Sequence, residues 1–312
     1  FSLEGNYLKH LSKIYAAAQK VPEDFGFRHI KLKYLDDPVD VIIISKPGEA
    51  RIAKPLFMYC QESLPKPVIK YSEKGLYDVV PFNEQMLLDD FHIVIVGKQF
   101  IPIISNVDKL SLDFLFLKDQ QKTIPPRGYS DRNYLDYYVF RNNSILKQLF
   151  KYRWVKTSKL VLVGQGEGSS IAVKMATLNK KITHLIFSGG NPYGNVATQL
   201  QKGSLNQKNN QCSEEILLKY KEVITTATGI EYDQLETSKA FFSFSLPQRE
   251  NLMSLKIPIL MCYQSDHLSR IFNELFQLEV IRERKQNIDF YTYCKSSDKC
   301  ESRQKSSECQ SG

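Results

Sequence analysis

The sequence predicts an α/β fold: an eight-stranded, mostly parallel sheet with helices on both faces. Three observations predict it. Apolar strand-like runs alternate with amphipathic helical segments through the second half of the chain, the order that parallel strands with crossover helices require. The stretch Lys159 to Ala176, KLVLVGQGEGSSIAVKMA, passes from an apolar run through a glycine-rich turn straight into a helix-forming segment. The 312 residues are 42% hydrophobic and 12% aromatic, ample material for a packed core without disulfides or metals.

The elements follow in order. Tyr7, Leu8, Leu11, Ile14, Tyr15 and Ala18 recur at helical spacing, which predicts a helix over about residues 5 to 19. HIKLKYL and DVIIISK read as a hairpin turned at DDPV, where Asp and Pro favour a reversal. PLFMYC and FHIVIVGKQF are the third and fourth strands. NYLDYYVFRNNSILKQLFKY is then helical, KLVLVG a strand, GSSIAVKMATLN a helix and THLIFSGG a strand. IPILMCYQSD, a helix with Ile271, Leu275, Leu278 and Ile281 along one face, and the strand NIDFYTY complete the alternation.

One domain is expected over 1–312, interrupted at 195–255. That interval mixes polar sequence with the helix-like SEEILLKYKEVITTA, and an insertion of such length is expected to form a helical cap over the strand ends. Residues 294–312, CKSSDKCESRQKSSECQSG, are polar without periodicity and are expected to be a disordered tail. Cys294, Cys300 and Cys309 fit neither a zinc template nor a CxxC motif, so no metal site is expected. A disulfide among them would suit an exported protein, and a chain that begins at Phe1 fits removal of a leader. Cys60 and Cys262 lie in apolar runs and read as small buried hydrophobes.

The formal charge of +8 permits attraction to anionic partners. Its richest segment, Arg141 to Lys159, reads more simply as the wet face of an amphipathic helix whose apolar positions are Ile145, Leu149 and Tyr152. No nucleic-acid signature accompanies it, so no specific nucleic-acid partner is expected. No run approaches the roughly 18 apolar residues of a membrane span, and the chain is expected to be soluble.

In KLVLVGQGEGSSIAVKMA the turn glycines Gly164, Gly166 and Gly168 supply the small residues that a tight strand-to-helix reversal needs. This motif, together with the strand order, resembles the α/β-hydrolase superfamily, in flavour its serine peptidase and esterase branches. The resemblance implies an α/β-hydrolase fold with a nucleophile elbow whose apex is Gly166. It implies an acid after the seventh strand at Asp266, and an oxyanion hole from the amide of Glu167 and the CQESLP loop that holds Glu62. It also implies a histidine beyond NIDFYTY, where this sequence has none.

Each departure has a consequence. Gly166 has no side chain to attack a carbonyl, and loss of a catalytic serine leaves only about 10³-fold acceleration over water. Of His10, His29, His92, His184 and His267, only His267 falls near a strand end, and it directly follows Asp266. Adjacent residues cannot readily form an acid-to-imidazole-to-nucleophile relay. Glu62 would repel the charge that develops in an oxyanion pocket. The expectation is therefore a catalytically inactive α/β-hydrolase-fold protein, without cofactor, that binds a small molecule, a peptide or a protein partner in the cap cleft. The alternative is a serine esterase or peptidase whose nucleophile has been replaced.

Ser170 offers a second nucleophile register, Gly168-x-Ser170-x-Ala172, but it lies about a helical turn too late, where its hydroxyl is expected to bond back to a helix carbonyl. The non-catalytic readings of the remaining residues are plain. Asp266 would cap a helix starting near Leu268, His267 would be an exposed loop residue, and Glu167 would meet solvent or a lysine.

Overall fold

The computed structural model describes residues 20–118, 124–205, 211–225, 232–233 and 236–294. The helix expected over 5–19 and the tail after Cys294 lie outside the described residues.

Strand β1 (Arg28–Tyr34) pairs antiparallel with β2 (Asp37–Ile44) in the register Arg28 to Ile43 and Tyr34 to Asp37. The reversal occupies Leu35 and Asp36, with Leu35 at φ 53°, earlier than the expected DDPV turn. Pro38 sits inside β2 instead, opposite Lys33. Next come β3 (Lys54–Cys60), β4 (Ile69–Ser72), β5 (Gly75–Leu76), β6 (His92–Val96) and β7 (Ile104–Asn106). Helices α1 (Arg127–Ser130) and α2 (Leu135–Leu149) lead to β8 (Val155–Gln165), α3 (Glu167–Leu178) and β9 (His184–Ser188). The 195–255 interval holds α4 (Asn195–Leu205), α5 (Gln211–Thr225), the short strands β10 (Tyr232–Asp233) and β11 (Glu236–Thr237), α6 (Ser238–Ser245) and α7 (Arg249–Ser254). The chain then runs through β12 (Ile259–Gln264), α8 (Arg270–Arg282) and β13 (Ile288–Tyr293).

The large sheet has eight strands in the order β1-β2-β6-β3-β8-β9-β12-β13. Only β1 with β2 and β2 with β6 are antiparallel; the other neighbours are parallel. A smaller sheet, β5-β4-β7, was not anticipated, because its strands are too short to show a period in the sequence.

Both faces of the central strands are apolar, as a covered parallel sheet demands. Leu56, Met58, Leu160 and Leu162 point to one side, into a core shared with Ile145 and Leu146 of α2, Ile171 and Met175 of α3 and Phe276 of α8. The alternate residues Phe57, Tyr59, Val161 and Val163 point to the other, against Ile69 of β4, Ile104 of β7 and Phe91. Each fully buried aliphatic side chain contributes about 1.5–3 kcal/mol. At the amino end of β8 the single tryptophan, Trp154, is buried with the Arg28 guanidinium 3.8 Å over its ring and His92 edge-on at 5.4 Å.

One helix expectation changes. The basic segment from Arg141 is not one wet helical face: α2 stops at Leu149, Tyr152 lies beyond it, and β8 begins at Val155. Arg141 itself is 1% exposed. Its guanidinium donates to Asn142 Oδ1 and lies 5.1 Å from the Tyr138 ring, whose π face offsets part of the cost of burying the cation. In α8 the stripe Ile271, Leu275, Leu278 and Ile281 faces outward; Asn273, Phe276 and Val280 form the buried side. Asn273 selects that side by donating to the carbonyls of Gly190 and Ser269. Of the two cysteines read as buried, Cys60 is buried and Cys262 is half-buried. Cys294 is disulfide-bonded.

Candidate functional site

Between the end of β8 and the start of α3 stands one residue, Gly166, at φ 55° and ψ −124°. A residue with a Cβ adopts that combination only under strain, the kind a nucleophile elbow imposes on its apex. The bend is held from below: the Gly166 N–H donates to Ser188 O at 2.9 Å, and the Ser169 hydroxyl reaches Gly164 O at 2.8 Å and Ser188 O at 2.9 Å. Close packing fixes the flanking glycines. A Cβ on Gly168 would lie 2.1 Å from Cys60 O, and one on Gly164 would lie 2.3 Å from Gly168 O, so strand, helix and the loop after β3 approach as nearly as backbones can.

Above the bend, at the carboxyl ends of the strands, is a cavity of about 430 Å³. Gln165, Gln264 and Tyr293, the last residues of β8, β12 and β13, border it together with Glu62 and Glu167. The 195–255 interval contributes Asn195, Thr198 and Phe244 to its wall. Open α/β sheets bind ligands at this edge.

The loop after β3 places Glu62 directly over Gly166. A Cβ on residue 166 would sit 3.1 Å from Glu62 Cγ and 3.5 Å from its Oε1, so the Glu62 side chain borders the space where an attacking side chain would stand. Glu62 is half-buried and, among the described residues, makes no hydrogen bond or ion pair. Glu167, expected to meet solvent or a lysine, instead accepts hydrogen bonds from the Ser63 hydroxyl and, at 2.9 Å, from Asn195 Nδ2. Burial pushes its carboxyl above the ordinary range, and the charge of Glu62 adds to the shift, while the Ser63 hydrogen bond opposes it. Lys98, just past β6, is 8% exposed; burial pulls its ammonium down to about 7, against the favourable charge of Glu62.

The remaining expected residues fall apart spatially. Asp266 is exposed and is not among the residues lining the cavity. It does not cap α8, whose N-cap is Ser269, because the chain makes a turn before the helix begins at Arg270. His267 is exposed and borders the cavity. Its Nδ1 accepts the Ser269 N–H at 3.2 Å and lies 2.7 Å from Ser269 Oγ. A backbone N–H can only donate, so the neutral ring carries its proton on Nε2, the reverse of the tautomer that a general base in a triad requires. His29 bonds to Asp40, His92 to Ser45 and Ile52 O, and His184 to Thr183, all away from the cavity. Ser170 lines the cavity, 6% exposed, and its hydroxyl has no hydrogen bond among the described residues. The bond back to a helix carbonyl expected of Ser170 is not made; its neighbour Ser169 instead faces the strand carbonyls of Gly164 and Ser188.

Sequence reasoning missed Ser63, Asn195 and Lys98. The one available signal was a lysine ending the otherwise apolar run IVIVGK.

No known sequence family matches the chain, and neither does any curated protein. Its fold is shared with solved structures. An acylaminoacyl peptidase from Pyrococcus horikoshii aligns at TM-score 0.50 and 15% identity over 86% of this chain. An esterase from Pyrococcus furiosus aligns at 0.51 and 10% identity over 90% of this chain and 86% of its own. An α/β hydrolase from a Penicillium species aligns at 0.51 and 10% identity over 86% and 89% of the two chains. The present chain spans 36% of the length of the peptidase. The chain has the α/β-hydrolase fold.

Proposed function

We propose that this is an α/β-hydrolase-fold protein that does not turn over an ester or peptide, and that it binds a ligand in the cavity above Gly166, capped by residues 195–255. The observation that carries this reading is Gly166 at the apex of the bend with Glu62 over it: there is no atom to attack, and a carboxylate borders the place of attack. Two further features support it. His267 presents a ring proton where a base would need a lone pair, and Asp266 stands outside the cavity. Gly164, Gly168 and the Ser169 hydrogen bonds keep the bend whether or not a nucleophile is present.

An active-site-directed fluorophosphonate tests the reading, with no labelling expected. Stoichiometric labelling that disappears in Ser170→Ala would overturn it and make Ser170 the nucleophile. The alternative, a serine hydrolase with a replaced nucleophile, draws on the conformation of Gly166 and on His267 beside the cavity. Gly166→Ser decides between them. We expect its rate on nitrophenyl esters to stay within about tenfold of the Gly166 protein, whereas a gain on the order of 10³-fold or more would establish the alternative.

A further inference from the structure

We propose that the cavity above Gly166 is a site for a small organic cation, an alkylammonium group held by Glu62 and Ser170. This deepens the preceding section and rests on its claim that the cavity binds a ligand.

The chain carries a formal charge of +8, yet no lysine or arginine lines this cavity. Its two carboxyl groups belong to Glu62 and Glu167, and the charge of Glu62 reaches Glu167. Only one of them is satisfied: Glu167 has Ser63 and Asn195, while Glu62 has no hydrogen bond or ion pair among the described residues. Lys98, the cation coupled to Glu62, forms no ion pair with it.

Ser170 supplies an independent observation. More than nine-tenths buried, it turns an unpartnered hydroxyl toward the same cavity. Both groups open onto the cavity without a protein partner, so a ligand that brings donors and positive charge can satisfy both. An ammonium group offers three donors and a positive charge. Phe244 and Tyr293 in the wall provide aromatic rings that attract cations or pack against an alkyl stem, and a cavity of about 430 Å³ has the size of a small-molecule site. An anionic ligand would face both carboxyl groups with no lysine or arginine in the wall.

Titration calorimetry on the full chain at low salt tests the proposal with 1,4-diaminobutane, using 1,4-butanediol as the neutral isostere. The expected result is saturable binding of the diamine, none of the diol, at least tenfold weaker binding by Glu62→Gln and a few-fold loss in Ser170→Ala. Glu62→Asp, which keeps the charge, should bind measurably, and circular dichroism melts establish that each variant is folded. Equal binding of diol and diamine, undiminished binding by folded Glu62→Gln, or no binding of the diamine would each overturn the proposal. Those outcomes leave the non-catalytic reading standing, since it fails only on fluorophosphonate labelling or on rescue by Gly166→Ser.

Discussion

Gly166 holds a conformation that a Cβ makes costly. Gly166→Ala is expected to lower unfolding free energy by about 1–3 kcal/mol. Gly168→Ala should cost more, because its Cβ meets the Cys60 carbonyl, which cannot retreat without moving β3. Urea unfolding of the two variants gives the comparison. Lys98 yields a pH prediction. Its folded pKa, about 7, is depressed below the ordinary 10.5, so the unfolded chain binds more protons between those values. The Lys98 contribution therefore grows as pH rises from 7 toward 10.5 and is lost as pH falls through 7. Its slope is about 1.4 kcal/mol per unit. In Lys98→Met that part of the rise between pH 7 and 9 should vanish from the urea midpoints. The three turn glycines and Glu62 were legible in the sequence, because one short segment and the loop after the third strand define them. Ser63, Asn195 and Lys98 were not, since their roles depend on contacts such as Ser63 with Glu167, 104 positions apart.

Helix α8 shows what periodicity can and cannot reveal. The spacing of Ile271, Leu275, Leu278 and Ile281 identified a helix correctly, but these residues stay exposed, Leu278 at 64%. The packed side carries a polar Asn273, so the most apolar stripe of this helix is not its packed one. Leu278→Gln should therefore change stability by less than about 0.5 kcal/mol, whereas Phe276→Ala should cost about 3–5 kcal/mol. Thermal melts of the two variants distinguish the faces; equal losses would mean that Leu278 is buried in solution. The hairpin turn was misplaced for a related reason. Asp and Pro mark reversals on average, yet here the pairing of Tyr34 with Asp37 leaves room only for Leu35 and Asp36.

At the scale of the whole molecule the strand alternation was almost fully readable, because buried parallel strands are long apolar runs and all eight were recognised. The small sheet escaped because two or three residues carry no period. Since the large sheet is sandwiched between two apolar layers, damage to either layer should be felt by both. Leu162→Ala on one face is expected to cost about 2–5 kcal/mol and Phe57→Ala on the other about 3–5 kcal/mol. Each should shift one shared calorimetric transition; two separated transitions would mean that the layers melt independently. Trp154 gives the protein a convenient optical property. As the sole indole, wedged between a guanidinium and an imidazole at the start of β8, it lies roughly 20 Å, the span of the paired strand β3, from the cavity at the other end. Its emission should stay silent when the cavity fills and respond when the sheet comes apart, so one fluorophore separates occupancy from unfolding.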